Sequence, residues 1–188
     1  MERYIIKQNT IYLKAVKFNE HIVHTEVSEA GKDTFIIEQR PQEIMNQSCR
    51  FYGEHIQERK LFTKRLTNIS SKPPILISPI TSTYFFCTHS ERSIENSWIN
   101  LLYVRNIVEL KGNKSKIQFE EERSIEVPIS FHILNHQYLN CTCLHYKNHR
   151  NKIFINNLNK DQSPFDLDLK QEGYSVLDVI KMYLKDKH

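Results

Sequence analysis

Along the first forty residues apolar positions alternate with polar ones, most regularly in His21-Ile22-Val23-His24-Thr25-Glu26-Val27. A repeat of two sends successive side chains to opposite faces, as a half-buried strand requires. Two β-like runs, Ile11 to Val27 and Thr34 to Glu38, flank Ser28-Glu29-Ala30-Gly31-Lys32. Both are rich in β-formers and the glycine between them marks a hairpin turn, so this segment is expected to form a β-meander. At Pro41 the period changes. Ile44, Met45, Ser48, Cys49, Tyr52 and Ile56 recur three or four residues apart, the inward stripe of a helix whose first turn holds a proline. Asn46, Gln47, Arg50 and Glu54 fall on or near the opposite face, which presents Arg50 to solvent. Gly53 bends or ends this helix, and a continuation through Arg59-Lys60 to about Leu66 keeps the helical reading open. Lys72-Pro73-Pro74 breaks any helix, because proline lacks the ladder donor and biases its predecessor toward extended geometry.

Strand signals then return over Ile75 to Ser78, Thr83 to Thr88, Trp98 to Val104, Ile107 to Leu110, Ile117 to Glu120 and Ser124 to Ile129, with Gly112-Asn113 as a second hairpin turn. Asn148 to Lys170 is polar and reads as a surface loop. Beyond it, Ser175-x-x-Asp178 caps an amphipathic helix to His188 whose Val176, Val179, Ile180, Tyr183 and Leu184 share a face. The expected fold is α+β: a predominantly antiparallel sheet or sandwich with one central helix and a C-terminal amphipathic helix. Residues 1–146 would form a β-rich domain and residues 147–188 a polar loop and C-terminal helix.

Composition narrows the class. A chain of 188 residues with 39% hydrophobic and 26% charged positions can bury a core and suits a globular protein. No apolar run approaches the roughly 20 residues that span a bilayer, and Met1-Glu2-Arg3-Tyr4 opens no signal peptide. The expectation is a cytoplasmic protein whose four cysteines are free thiols. Charge is uneven. From Arg50 to Lys72 six cations (Arg50, Arg59, Lys60, Lys64, Arg65, Lys72) face two acids (Glu54, Glu58), an excess equal to the formal net charge of +4 for the whole chain. Such a segment is either a solvated helix face or a footprint for a phosphate backbone.

The order Ser48-Cys49-Arg50-Phe51-Tyr52-Gly53, Arg59-Lys60, Lys72-Pro73-Pro74-Ile75 with Pro79, Phe86-x-Thr88-x-Ser90, Trp98-Ile99 and Pro128-Ile129-Ser130 resembles the ComK family of competence transcription factors, over roughly residues 40 to 140. The resemblance implies an activator of DNA-uptake genes that recognises paired A/T-rich boxes through the minor groove, binds double-stranded DNA as a homodimer or higher oligomer, and is turned over through a protease adaptor. Within its blocks lie Arg50, Arg59, Lys60 and Lys72, while Lys64, Arg65 and Arg92 rest on charge alone. Thr88, Ser90 and Asn100, short and polar near strand ends, suit phosphate contacts that fix register. Phe51, Tyr52, Phe85, Phe86 and Trp98 are either core or aromatics that stack on bases. The order from Thr88 through Trp98 to Ser130 also resembles the LytTR DNA-binding domains, which favours a β-leaning architecture.

Other chemistry is thinly supplied. Cys141-Thr142-Cys143, with His132 and His136 upstream and His145 and His149 downstream, holds zinc-compatible donors. Structural sites space paired cysteines by two to four residues, however, and two small buried thiols on a strand explain the same pattern. No nucleotide-binding glycine loop, nucleophile elbow or zincin motif is present, and Glu120-Glu121-Glu122 beside Arg123 reads as a solvated turn. No cofactor, metal or catalytic residue is nominated. The rival to DNA binding is a regulatory or adaptor module whose basic segment meets an acidic protein.

Overall fold

The computed structural model describes residues 3–19 and 22–159. Its first elements are the expected meander, β1 (Thr10–Lys17), β2 (Val23–Glu29) and β3 (Phe35–Ile37), paired antiparallel. Two helices follow, α1 (Pro41–Phe51) and α2 (Ile56–Thr67). Strands β4 (Ile75–Ser78), β5 (Thr83–Cys87) and β6 (Trp98–Asn100) then complete an antiparallel six-stranded sheet of order β3-β2-β1-β6-β5-β4. A 3₁₀ turn over Leu101–Tyr103 leads to a three-stranded antiparallel sheet of β7 (Val104–Leu110), β8 (Lys114–Phe119) and β9 (Ser124–Val127). Helix α3 runs from Phe131 to Asn159. The fold class is thus α+β with antiparallel sheets. The chain divides into units of residues 1–145 and 146–188; the first contains both sheets, α1, α2 and the start of α3.

Both faces of the larger sheet are buried. Along β5, Tyr84 and Phe86 enter one apolar cluster and Phe85 and Cys87 the other; Leu76 and Ile99 join the first, Ile75, Ile77 and Trp98 the second. Strict alternation between two cores explains why β4 and β5 read as uninterrupted apolar runs. The second cluster is closed by Ile44, Met45 and Cys49 of α1 and Ile56 of α2. The first is closed by Ile107, Ile117 and Phe119 of the smaller sheet and by Leu134, Cys141 and Leu144 of α3.

Arg123 ties the smaller sheet to the larger. Its guanidinium donates to Ser28 Oγ (2.8 Å), Glu29 O (3.0 Å) and Lys32 O (2.6 Å) at the end of β2. The Glu29 side chain, 1% exposed, accepts from Tyr4 (2.9 Å), Lys7 (3.2 Å) and Lys32 (2.8 Å). Burial works against its ionisation, but the hydrogen bonds from Lys32, Tyr4 and Lys7 prevail and hold the carboxyl below its ordinary value.

Several local expectations give way. The run from Ile11 to Val27 is two strands, because Phe18 N donates to Ile22 O (2.9 Å) and closes a hairpin. The central helix is two, since Gly53 at φ +96° ends α1. Strand β6 stops at Asn100, whose Oδ1 accepts from Leu102 N (3.1 Å) and starts the 3₁₀ turn. The polar stretch from Asn148 is helical as far as Asn159, as no glycine or proline lies between Pro128 and Pro164 to break α3. Loop residues 160–170 and the Ser175–His188 helix lie outside the described residues. Among the described residues no helix is long and apolar enough to cross a membrane.

Trp98 fills the second cluster with no exposed surface, so Trp98→Ala should lower unfolding free energy by about 3–5 kcal/mol in urea titrations. A carboxyl with a depressed folded value stabilises above its unfolded value and loses that stability as pH falls through the folded one. Glu29→Gln should therefore be less stable at neutral pH, and its stability should decline less steeply than that of the natural chain below 4.5, the ordinary value for this group.

Candidate nucleic-acid interface

Helix α1 is fixed at both ends. Glu43 Oε2 accepts from Arg40 N (3.1 Å) at its start. At its end Glu54 N donates to Cys49 O (3.1 Å) and Gly53 N to Arg50 O (3.0 Å), the paired bonds of a glycine-terminated helix. Ile44, Met45, Ser48 and Cys49 face inward, leaving Arg50 and Phe51 exposed at the last turn. Ser48 also serves the fold, its Oγ accepting from Ile6 N (3.0 Å). Helix α2 ends on Asn68 in the left-handed region, and Thr63 Oγ1 donates to Pro74 O (2.8 Å), binding the Pro73-Pro74 segment to the helix. Lys64 and Arg65 stand exposed on α2.

The eleven predicted contact residues separate sharply. Arg50, Lys64, Arg65, Ser90 and Arg92 are exposed, and Lys60 and Lys72 half-buried. Arg59, Thr88 and Asn100 are buried where surface positions were expected, and Trp98, for which core and base stacking were both open, is core. Arg59, 5% exposed, donates through Nη2 to Tyr52 O (3.2 Å). Its Nε lies 3.1 Å from Glu54 Oε2, near enough for an ion pair but off the line of a hydrogen bond. Thr88 Oγ1 accepts from Ser97 N (3.0 Å) and meets His89 Nδ1 (3.0 Å), while Asn100 Nδ2 donates to Thr10 O (2.7 Å). These three residues satisfy interior backbone, which is why their polar atoms do not reach the surface.

Among the exposed cations the charge is not equally available. Lys60 Nζ is 2.6 Å from Glu91 Oε2, and Arg92 lines a cavity of about 210 Å³ together with Arg40, Glu43 and Glu91. Arg50, Lys64, Arg65 and Lys72 form no ion pair with any described residue. Positive potential is therefore least offset along the last turn of α1, the exposed side of α2 and the loop into β4.

The ComK protein family model matches residues 1–152, which includes this whole basic segment. The chain belongs to the ComK family. The competence transcription factor of Bacillus subtilis (strain 168) is 30% identical over 103 residues, 55% of this chain and 54% of that protein. The chain thus spans about half the length of the curated relative it matches. No solved structure matches it.

This ComK-family chain also carries cations that sequence reading passed over. In the β7–β8 hairpin, Arg105, Lys111 and Lys114 are exposed and Lys116 is half-buried, around a turn in which Gly112 (φ +74°) and Asn113 (φ +58°) are both left-handed. The signal was present, as Lys111 and Lys114 bracket the Gly112-Asn113 dipeptide. The cysteine and histidine cluster, by contrast, disperses. Cys141 and Cys143 sit two apart on a helix rather than a strand, which turns them to opposite sides. Burial pushes the Cys49 thiol up to about 11, Cys87 up to about 12 and Cys141 well above its usual range. No group of three or more metal-binding side chains converges among the described residues.

Arg59 and Arg65 lie six residues apart on one helix yet should behave oppositely. Arg59→Ala removes a charged hydrogen bond from a buried turn and should cost on the order of 2 kcal/mol in urea unfolding. Arg65→Ala, at an exposed position, should stay within about 0.5 kcal/mol.

Proposed function

We propose that this chain is a sequence-specific DNA-binding transcriptional activator of DNA-uptake genes that recognises A/T-rich boxes through the minor groove. The observation that carries the reading is the set of unpaired, exposed cations Arg50, Lys64 and Arg65 on the helical hairpin of a ComK-family chain. The name of the Bacillus subtilis relative, a competence transcription factor, supports the same role. Runs of A·T pairs narrow the minor groove and deepen its negative potential, so long cationic side chains gain most there. Base edges in that groove barely distinguish A·T from T·A, hence recognition rests on groove width and potential rather than on a base-by-base code. The protein acts without catalysis, in the cytoplasm at the nucleoid, as a homodimer or higher oligomer that suits paired boxes. Its turnover passes through a protease adaptor that engages the region from residue 147 onward.

Binding to A/T-rich duplex should weaken with salt at a log-log slope of roughly −0.9 per phosphate contacted. The triple variant Arg50→Ala, Lys64→Ala, Arg65→Ala should flatten that slope by about three units while the unfolding transition is unchanged. A drug that fills the A/T minor groove should displace the protein, and bulky groups on the major-groove edges of the same bases should have little effect. Sensitivity to the major-groove groups without sensitivity to the drug would overturn the groove assignment. Absence of salt-dependent binding to any duplex would favour an acidic protein partner instead.

A further inference from the structure

Phe51 stands at the tip of the helical hairpin with 68% of its surface exposed. Single exposed apolar residues are ordinary on protein surfaces, but this one is held unusually firmly. Phe51 is the last residue of α1, and the bonds from Gly53 and Glu54 back to Arg50 and Cys49 tie down that last turn. Tyr52 braces the ring edge-on, at 5.2 Å between centroids and 87° between planes. The Tyr52 hydroxyl in turn donates to Ile6 O (2.9 Å), and its carbonyl accepts from the buried Arg59 (3.2 Å). A rigid aromatic presented to water loses little conformational entropy when something flat receives it.

The surroundings indicate what that receiver is. Next to Phe51 in the chain, Arg50, Gly53, Glu54 and His55 are exposed, so the ring stands beside polar and charged residues rather than within an apolar run. Glu54 is engaged with Arg59 at 3.1 Å, whereas Arg50 forms no ion pair with any described residue. An isolated aromatic beside a free guanidinium matches the inside of a minor groove, where phosphates line both walls and a base step opens between them. Minor-groove proteins use this pairing, with cations on the backbone and an apolar side chain driven between bases.

We infer that Phe51 is a wedge that inserts into a base step of the bound A/T-rich duplex, with Arg50 held in the adjoining groove. The inference rests on the DNA-binding reading above. Partial unstacking exposes thymine C5–C6 bonds to permanganate, which attacks from the major-groove side opposite the wedge, so permanganate footprinting reports the event directly. With the full-length chain, thymines inside the box should become reactive on binding. The reactivity should persist with Phe51→Leu and vanish with Phe51→Ala. Affinity should fall on the order of tenfold for Phe51→Ala, with the salt slope unchanged because no phosphate contact is lost. Binding without thymine reactivity, or reactivity retained by Phe51→Ala, would overturn the wedge while leaving DNA binding intact. Loss of self-association by Phe51→Ala with reactivity retained would make the residue a subunit contact and likewise overturn it. If the natural chain bound no duplex at all, the DNA-binding reading would fail first and the wedge with it.

Discussion

The six-stranded sheet has no wet face over its central strands, and most of the unit formed by residues 1–145 follows from that constraint. With Phe85, Cys87 and Trp98 in one core and Tyr84, Phe86 and Ile99 in the other, every polar group on β5 and β6 needs an internal partner. Asn100 makes two of these bonds, donating to Thr10 O and accepting from Leu102 N, and Thr88 Oγ1 accepts another from Ser97 N. Residues with side chains suited to phosphate contacts are thereby committed to the interior. On the DNA-binding reading proposed above, recognition has to come from elements that lie outside the sheet.

The α1–α2 hairpin meets that need because its two sides have different tasks. Ile44, Met45, Cys49 and Ile56 lie in the core, while Arg50, Lys64 and Arg65 stay in water. What orients the two helices is a cation, Arg59, buried against Tyr52 O and Glu54 at the connecting turn. A buried charge with partners of this kind is costly to disturb, since removal of either side strands the other. The hairpin therefore holds its angle, and the exposed cations keep a fixed spacing. Fixed spacing is what a phosphate ladder can match.

Much of this was legible in the sequence, for identifiable reasons. Period-two alternation gave the N-terminal meander, the three-and-four stripe from Ile44 to Cys49 gave α1, and Gly112-Asn113 gave the β7–β8 turn. Three things were not. Arg59 read as exposed because charge ordinarily means exposure, and its burial depends on Gly53 folding the chain back over Tyr52. Thr88 and Asn100 read as surface residues because no local pattern announces that both sides of a strand will be covered. The stretch after Phe131 read as loop from Asn148 because asparagine and histidine are weak helix formers, although Leu134, Cys141 and Leu144 fall at helical spacing.

The same division bears on how such a surface discriminates among sequences. Lysine and arginine on a rigid frame respond to where the phosphates are and how deep the potential lies, both set by groove width. Polar side chains that could distinguish individual base edges are, in Thr88 and Asn100, withdrawn into the fold. A reader built in this way gains little from any one base and much from a run that keeps the groove narrow. On the DNA-binding reading proposed above, affinity then depends on the spacing between cationic positions on one protomer and, in the proposed oligomer, on its match to a second protomer along the duplex. Lys60, half-buried against Glu91 at 2.6 Å, tempers that dependence, since phosphate must compete with a carboxylate already in place. On the same reading, that competition lowers indiscriminate attraction to any polyanion, whereas Arg50, Lys64 and Arg65, which form no ion pair with a described residue, keep their field for a groove that fits.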